Sequence, residues 1–354
     1  MYRCTGRYFS WVSAMVALCL FASAGRAEPR LDVVEFESQT LQNNPLHDPT
    51  LRKLAVFLPS QMTNNTALPV VYYLPGWGGS SEKVIQSKEK WLTLVQSVAD
   101  QVTPMILVVV DGRTHWGGSQ YVNSTAQGNY ADYIGKEIVT KVEAEYPKLA
   151  SHEHRVIAGH SSGGYGALCL GMQFQNQFES VIALSPDSDF DVTHLPFVKM
   201  PDVANVSLAE INKLMKAGRG LPAPKEGDLA YALGLCAAYA PSLDATHPED
   251  FEWLYDDKGN FRQTTWQRWL DHDPYTQVRK NKNAFLPTQS IYVEGAAQDE
   301  YQANIGARKI YEVLRNRPAR STFYEPPGKH SDHTPQRLQR GLAWVFHRPM
   351  QDVK

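Results

Sequence analysis

Short apolar runs alternate with segments whose apolar residues recur every three or four positions, from residue 31 to residue 346. The runs predict strands, and the recurrence predicts amphipathic helices. The predicted strands are 31–37, 54–58, 69–74, 105–110, 155–158, 181–184, 289–293 and 322–324. The predicted helices are 80–102, 129–146, the segment that follows residue 162, 301–314 and 335–346. This alternation predicts an α/β fold, in which helices cover both faces of a mostly parallel sheet.

The alternation lapses between Asp187 and Pro287. This stretch contains three tryptophans and two helical segments, 207–217 and 228–239. Because the sheet pattern resumes afterwards, we interpret residues from about 188 to 287 as an insertion that caps the functional site, within one domain spanning residues 28–354. The tryptophans could stack on a sugar or an aromatic acid, or they could simply pack.

The first 27 residues have the features of a secretory signal peptide. Arg3 and Arg7 precede an uncharged stretch from residue 8 to residue 25, and small residues then offer cleavage after Ala24 or after Ala27. The stretch is short for a membrane-spanning anchor and rich in Ser and Ala. We therefore expect an exported protein, periplasmic or secreted, that is not stably inserted in a membrane once the signal is removed.

The composition argues against nucleic acid as a main partner. The chain has 354 residues, of which 43% are hydrophobic and 20% are charged, and its formal net charge is -2. These values suit one large α/β domain with an insertion, and they argue against nucleic acid as a main partner. Cys169 and Cys236 remain after removal of the signal, and the sequence leaves open whether they pair.

The segment Gly159–Gly163, Gly-His-Ser-Ser-Gly, joins a predicted strand to a predicted helix. This pattern in this context is typical of a nucleophile elbow, a strained turn that exposes a serine hydroxyl and needs small residues on either side. We predict that Ser161 is the nucleophile. The main-chain N–H of Ser162, at the amino end of the next helix, is then expected to help bind an oxyanion. A glycine-rich turn without chemistry is the alternative.

A serine nucleophile needs a base, and the base needs an orienting acid. In α/β hydrolases both follow the serine along the chain, the acid before the histidine. Asp299 lies in the loop between the predicted strand 289–293 and the next helix, which is the expected place for the acid, although it could instead be a helix N-cap. The rival carboxylates are Glu294, Glu300, Asp187 and Asp189.

His330 is the predicted base, because it is the first histidine after the last predicted strand and follows a turn. His333 is its rival, and could simply begin the final helix. His330, Asp332 and His333 together could suggest a metal site, but the sequence shows no second ligand cluster. We therefore expect no metal and no organic cofactor.

A second oxyanion donor is expected from the loop Pro75–Gly79, Pro-Gly-Trp-Gly-Gly, which follows a predicted strand. Its glycines would let main-chain N–H groups approach a substrate closely. We predict the N–H of Trp77 as the donor, with Gly76 or Gly78 beside it. A flexible glycine turn is the alternative.

The chain resembles the esterase D-type carboxylesterase family, which includes secreted feruloyl and acetylxylan esterases, siderophore esterases and bacterial mycolyltransferases. The matching segments are 72–79, 117–124, the elbow, 184–187, 295–299 and 328–332. The resemblance implies an α/β-hydrolase fold and a catalytic triad of Ser161, Asp299 and His330. It also implies that the loop carrying Tyr121, Asn123 and Ser124 lies near the substrate.

These observations lead us to expect an exported serine esterase that acts on a small-molecule or carbohydrate-linked ester. An acyltransferase would use the same acyl-enzyme, with an alcohol in place of water in the second step. A binding protein on a hydrolase scaffold, with its triad blocked by the insertion, is the alternative from outside the enzymes.

Overall fold

The computed structural model describes residues 28–62, 67–218, 227–244, 246–247 and 250–347. The predicted signal peptide, residues 1–27, lies outside the described residues and stays a prediction. Within the described ranges, no helix combines the length and the apolar character needed to cross a membrane.

A central sheet dominates the described part of the chain. The strands are β1 Arg30–Glu37, β2 Leu51–Leu58, β3 Leu68–Leu74, β4 Ile106–Val109, β5 Asn123–Ser124, β6 Gly128–Asn129, β7 Ala150–His160, β8 Ser180–Leu184, β9 Ser290–Glu294 and β10 Arg320–Tyr324. Eight of them form one sheet in the order β1-β2-β4-β3-β7-β8-β9-β10, and β5 and β6 form a separate hairpin. The pairings β1–β2 and β2–β4 are antiparallel, and the other pairings in the sheet are parallel. The predicted mostly parallel sheet is confirmed.

Helices follow most of the parallel strands. They are α1 Ser81–Gln86, α2 Lys88–Gln101, α3 Tyr130–Asp132, a π-helix Tyr133–Ile138, α4 Val139–Glu145, α5 Ser162–Gln173, α6 Phe190–Thr193, α7 Leu195–Val198, α8 Pro201–Ala204, α9 Leu208–Gly218, α10 Asp228–Tyr239, α11 Gln263–His272, α12 Pro274–Lys280, α13 Ala303–Leu314 and α14 Thr334–Val345.

Two of the helices that the sequence predicts are interrupted. The segment 80–102 is divided into α1 and α2 at Ser87, whose hydroxyl group donates to the main-chain oxygens of Lys83 and Val84. Such local side-chain bonds compete with helical hydrogen bonds. The segment 129–146 is helical, but its middle third is the π-helix Tyr133–Ile138. Periodicity found both segments and missed both irregularities.

The core is divided by the sheet. One apolar cluster covers one face and includes Tyr72, Ile134 and Leu168, and another covers the opposite face and includes Trp91 and Leu342. All four residues of β4 are buried, as expected for a strand covered on both sides. The sheet therefore provides a rigid base for the loops at its carboxyl edge.

The described residues between β8 and β9 contain the helices α6 to α12, which pack into a third apolar cluster together with Trp116 and Tyr165. Trp253, Trp266 and Trp269 lie inside that cluster and are almost completely buried. These three tryptophans therefore pack, and none of them presents a free ring to a sugar.

Candidate active site

Ser161 occupies the sharp turn between β7 and α5. Its backbone dihedrals are φ 58 and ψ -125, a conformation that residues with a side chain rarely adopt. Its N–H donates to the main-chain oxygen of Leu184 at the end of β8, at 2.9 Å, and its own oxygen accepts from the N–H of Tyr165, at 2.9 Å. Hydrogen bonds from both sides therefore hold the strained turn that the sequence motif predicts.

The two glycines of the motif are required by space. A Cβ atom on Gly159 would lie 2.1 Å from the oxygen of Gly163, and one on Gly163 would lie 1.8 Å from the oxygen of Leu74. Neither backbone oxygen can yield that much room. The sequence argument for small residues on either side of the serine holds at both positions.

Asp299 and His330 form a buried pair. The Nδ1–H of His330 donates to Oδ2 of Asp299 at 2.8 Å, and both side chains are almost fully buried. Burial favours the neutral acid, but the hydrogen bond and the charge of His330 outweigh it, so the pKa of Asp299 lies below its ordinary value. Oδ1 of Asp299 accepts from the N–H of Tyr301 at 3.0 Å. This arrangement fixes the imidazole with its Nε2 atom available.

The rival acids have other partners. Glu294 forms a buried ion pair with Arg337 at 2.5 Å. Glu300 is exposed and accepts the main-chain N–H of His330 at 3.0 Å. Asp189 pairs with Lys309 at 2.5 Å. Of the four rivals, only Asp187 lines the same cavity as Ser161, and no hydrogen bond in the described part of the chain joins it to a histidine.

His333 lies just before α14 and is exposed, with a φ of 53. It begins the last helix, as the competing interpretation of this residue predicts. Among the described residues, no group of three or more His, Cys, Asp or Glu side chains is arranged to hold a metal ion.

Two buried side chains hold the main-chain oxygen of His330. Nη1 of Arg337 donates to it at 2.7 Å, and Nε2 of His160 lies 2.8 Å from it. Burial and the proximity of His330 lower the pKa of His160 to about 3, so His160 is neutral and its Nε2–H is the donor. Arg337 also donates to the hydroxyl of Ser185 at 2.8 Å. The backbone of the predicted base is thus fixed independently of its side chain.

The loop Pro75–Gly79 lies against the elbow. A Cβ atom on Gly76 would be 3.2 Å from Cβ of Ser161. The N–H of Gly79 donates to the oxygen of Gly76 at 2.9 Å, and the N–H of Gly78 donates to the oxygen of Gly117 at 3.3 Å. Gly78 is therefore committed elsewhere, and the N–H of Trp77 stays the predicted donor.

The Trp77 side chain is wedged between backbone segments and so anchors this loop. A Cβ atom on Gly118 would meet its indole at 2.6 Å, and one on Gly234 would meet it at 2.3 Å. The Tyr231 ring packs edge-on against the indole, with centroids 4.7 Å apart. Since Gly234 and Tyr231 belong to α10, the insertion contacts the oxyanion loop directly.

Asp187 connects the same helix to the elbow. Its Oδ2 atom accepts from the hydroxyl of Ser162 at 2.8 Å, from the hydroxyl of Tyr231 at 3.2 Å and from the amide of Gln120 at 3.4 Å. The sequence singles out Asp187 only as a rival acid and gives no signal for Tyr231, because no motif marks the insertion. The pattern of polar residues along the chain does not predict that the side chains of Asp187 and Tyr231 meet.

Ser161, His330, Trp77, Asp187 and Tyr231 all line one cavity of about 1030 Å³. Its walls also carry aromatic groups, namely His115, Trp116, His194, Phe197 and Tyr301. A cavity of this size accommodates a substrate with two sizeable parts. Three of the five residues predicted for the chemistry, Ser161, His330 and Trp77, therefore line one cavity. Ser162 follows Ser161 at the start of α5, and Asp299 lies directly behind His330.

The side chains of Tyr121, Asn123 and Ser124, in the predicted substrate loop, all make hydrogen bonds within the protein. The hydroxyl of Tyr121 donates to the oxygen of Pro75 at 2.5 Å, and that of Ser124 donates to the oxygen of Ala237 at 2.5 Å. Asn123 is exposed, and its side-chain oxygen accepts the N–H of Asp132. Tyr121, Asn123 and Ser124 are not among the described residues that line the cavity of Ser161. The hydrogen bonds of Tyr121 and Ser124 brace the loop Pro75–Gly79 and α10, and the contact of the three residues with substrate stays a prediction.

The fold and the strained serine turn define an α/β hydrolase. The model of the family described as "Putative esterase" matches residues 49–334, and the chain belongs to that family. It is a carboxylic ester hydrolase.

Solved structures share this fold at low sequence identity. A ferulic acid esterase is 18% identical, with a TM-score of 0.57, and the match covers 91% of this chain and 99% of the other. Fluorophosphonate-binding serine hydrolase F of Staphylococcus aureus is 17% identical, with a TM-score of 0.57 and coverage of 90% and 99%. An S-formylglutathione hydrolase from Agrobacterium tumefaciens is 15% identical, with a TM-score of 0.55 and coverage of 90% and 95%.

Proposed function

We propose that the protein is an exported serine esterase that works through a Ser161–His330–Asp299 triad and an acyl-enzyme. The observation that carries this proposal is the 2.8 Å hydrogen bond between the buried pair His330 and Asp299, in the wall of the cavity that Ser161 enters. A carboxylate behind an imidazole fixes the tautomer that can accept a proton from serine and stabilises the imidazolium that forms.

In the first step, the Ser161 hydroxyl attacks the ester carbonyl while Nε2 of His330 takes its proton. The N–H groups of Trp77 and Ser162 bind the oxyanion of the tetrahedral intermediate. Asp299 stabilises the imidazolium. His330 then gives the proton to the departing alkoxide, and the alcohol leaves an acyl group on Ser161.

In the second step, His330 takes a proton from a water molecule whose oxygen attacks the acyl carbon, and it then returns this proton to the Ser161 oxygen as the acid leaves. An acceptor alcohol in place of that water would make the protein an acyltransferase. The steps need no metal and no organic cofactor, because the charges that develop on the carbonyl oxygen and on the imidazole are stabilised by the oxyanion donors and by Asp299.

We propose further that the insertion caps the cavity and selects the substrate, a small-molecule or carbohydrate-linked ester. The contacts of Tyr231 with Trp77 and with Asp187 support this role, because they connect α10 to both the oxyanion loop and the elbow. Substitutions on the insertion that face the cavity should therefore change which ester is preferred.

Hydrolysis of a short-chain p-nitrophenyl ester by the protein without residues 1–27, beside its Ser161→Ala variant, tests the mechanism. We expect turnover by the first and a loss of at least about 10³-fold in the second. Equal rates would remove Ser161 from the mechanism. If neither protein hydrolyses the ester, the protein that keeps Ser161 is treated with a small phosphonate. Labelling of Ser161 indicates an active serine behind a closed cap, and no labelling indicates a binding protein.

Export is tested by expressing the chain with residues 1–27 included and sequencing the amino end of the protein that is recovered. A protein that leaves the cytoplasm and begins after Ala24 or Ala27 agrees with the proposal. A protein that keeps residues 1–27 in the cytoplasm contradicts the export part alone. Product analysis with an added sugar or alcohol distinguishes hydrolysis from acyl transfer.

A further inference from the structure

Tyr301 is the large side chain that the fold leaves most exposed beside the predicted base. It is 64% exposed, lines the cavity, and meets the His330 ring edge-to-face with centroids 4.9 Å apart. Its structural task is performed by its main chain, whose N–H donates to Oδ1 of Asp299 at 3.0 Å. The ring itself is available to a ligand.

The chemistry of acyl transfer determines which part of an ester can reach that ring. The oxygen of the leaving alcohol must come within hydrogen-bond distance of Nε2 of His330, because His330 protonates it. The carbon skeleton of the alcohol then begins next to the imidazole, where Tyr301 stands. The acyl part, in contrast, is attached to Ser161, in the cavity that Trp77 and Tyr231 also line.

We propose that Tyr301 forms a leaving-group subsite that binds a ring-bearing alcohol, a phenol or a sugar, through contact between the faces of the two rings. This inference rests on the proposed esterase function and adds the class of alcohol. An exposed aromatic ring offers a flat apolar surface at little cost in conformational entropy, and such ring pairs make a measurable contribution to binding.

Three acetates with the same acyl group test the subsite: ethyl acetate, phenyl acetate and a methyl glucoside acetylated on one hydroxyl. The measured quantity is the ratio of kcat/KM for each ring ester to that for ethyl acetate, so that any effect common to all esters cancels. We expect this ratio to fall roughly 2- to 10-fold in Tyr301→Ala. In Tyr301→Phe we expect it to stay within about 2-fold of the wild-type value, because the ring is kept.

Ile305 provides the matched control. It is an exposed apolar residue four positions further along, 38% exposed, and is not among the described residues that line the cavity. Ile305→Ala should therefore leave all three rates unchanged. A ratio that falls for the phenyl ester alone assigns the subsite to aryl alcohols, and one that falls for the glucoside alone assigns it to sugars.

Two other outcomes separate the subsite from the function it rests on. If Tyr301→Ala lowers all three rates equally, Tyr301 only supports His330 and the subsite is overturned while the esterase function stands. Ratios that stay unchanged in every variant also overturn the subsite and leave the esterase function standing. If the wild-type protein hydrolyses none of the three esters and Ser161 resists a phosphonate, the proposed function fails and the subsite fails with it.

Discussion

Arg337 on α14 donates a hydrogen bond from Nη1 to the main-chain oxygen of His330 at 2.7 Å, while its Nε atom pairs with Glu294 at 2.5 Å. One buried guanidinium therefore joins the end of β9 to the loop that carries the predicted base. Arginine suits this position because its planar group donates in several fixed directions at once.

Loss of Arg337 should destabilise the protein strongly. Arg337→Met removes the nearer of the two arginines that pair with the buried carboxylate of Glu294 and leaves Arg340 at 3.5 Å, and we expect the free energy of unfolding to fall by about 3 kcal/mol in urea titrations. Activity should fall as well, since the carbonyl of His330 loses a donor. The double variant Glu294→Gln with Arg337→Met should recover part of the stability, because no buried charge remains in the pair.

Arg308 and Glu325 provide the comparison. They form an ion pair at 2.5 Å, but the Arg308 side chain is half exposed. Arg308→Met should cost at most about 1 kcal/mol. Equal losses of unfolding free energy in Arg337→Met and Arg308→Met would show that the buried ion pair contributes no more to stability than the exposed one.

The free energy of unfolding should fall as the pH falls from about 6.5 to about 3, in part because of His160. Burial and the neighbouring His330 lower the pKa of His160 from 6.5 to about 3. In this interval the unfolded chain binds a proton at His160 and the folded chain does not, so acid favours unfolding. His160→Gln removes this proton but keeps a donor for the carbonyl of His330. We expect its stability to depend less steeply on pH, by up to about 1.4 kcal/mol per pH unit.

His272 allows a parallel measurement. Burial lowers its pKa to about 4, with smaller effects from nearby charges, so His272→Gln should also flatten the acid side of the curve. The double variant should be flatter than either single variant. A slope in His160→Gln equal to that of the wild type would mean that His160 is protonated in the folded protein.

Gly163→Ala should be far more harmful than Gly259→Ala. The added methyl group at Gly163 would lie 1.8 Å from the oxygen of Leu74, so β3 and α5 must separate, at an expected cost of at least about 3 kcal/mol. At Gly259 no atom lies within 4 Å and only the positive φ of 78 opposes the substitution, for about 1–2 kcal/mol. Thermal unfolding of both variants checks the difference, and similar losses would contradict the steric argument.

Cys169 and Cys236 are free thiols and should be unreactive in the folded protein. Cys169 is half-buried and Cys236 is buried. Loss of solvation raises the pKa of Cys169 to about 12 and that of Cys236 well above its ordinary value, so thiolate is scarce at neutral pH. A thiol reagent should label neither cysteine in the native protein lacking residues 1–27, and both in guanidinium chloride. Cys169→Ser should give one label after unfolding. No labelling of the unfolded protein would indicate a disulfide.

Most of the fold could be predicted because its strands are short apolar runs. β4 lies between two other strands, and residues 105–110 are apolar without interruption. The division at Ser87 and the π-helix at Tyr133–Ile138 escaped prediction, because hydrophobic periodicity does not record a local change of hydrogen-bond partner.

The site divides in the same way. Ser161, Asp299 and His330 each follow a strand at the edge where ligands bind in such sheets, so their order along the chain predicts their meeting. Arg337, Tyr231 and Tyr301 reach the site from helices or their approaches, where no motif marks a functional residue. Their roles depend on side chains that meet across long stretches of sequence, and a single sequence does not contain that information.

The contact between Asp187 and Tyr231 has a consequence for the evolution of selectivity. Ser161 precedes the helices α6 to α12 in the chain, whereas Asp299 and His330 follow them. These helices can therefore be exchanged without altering the order of the three predicted catalytic residues along the chain. A replacement must keep a hydroxyl for Asp187 and an aromatic edge for Trp77.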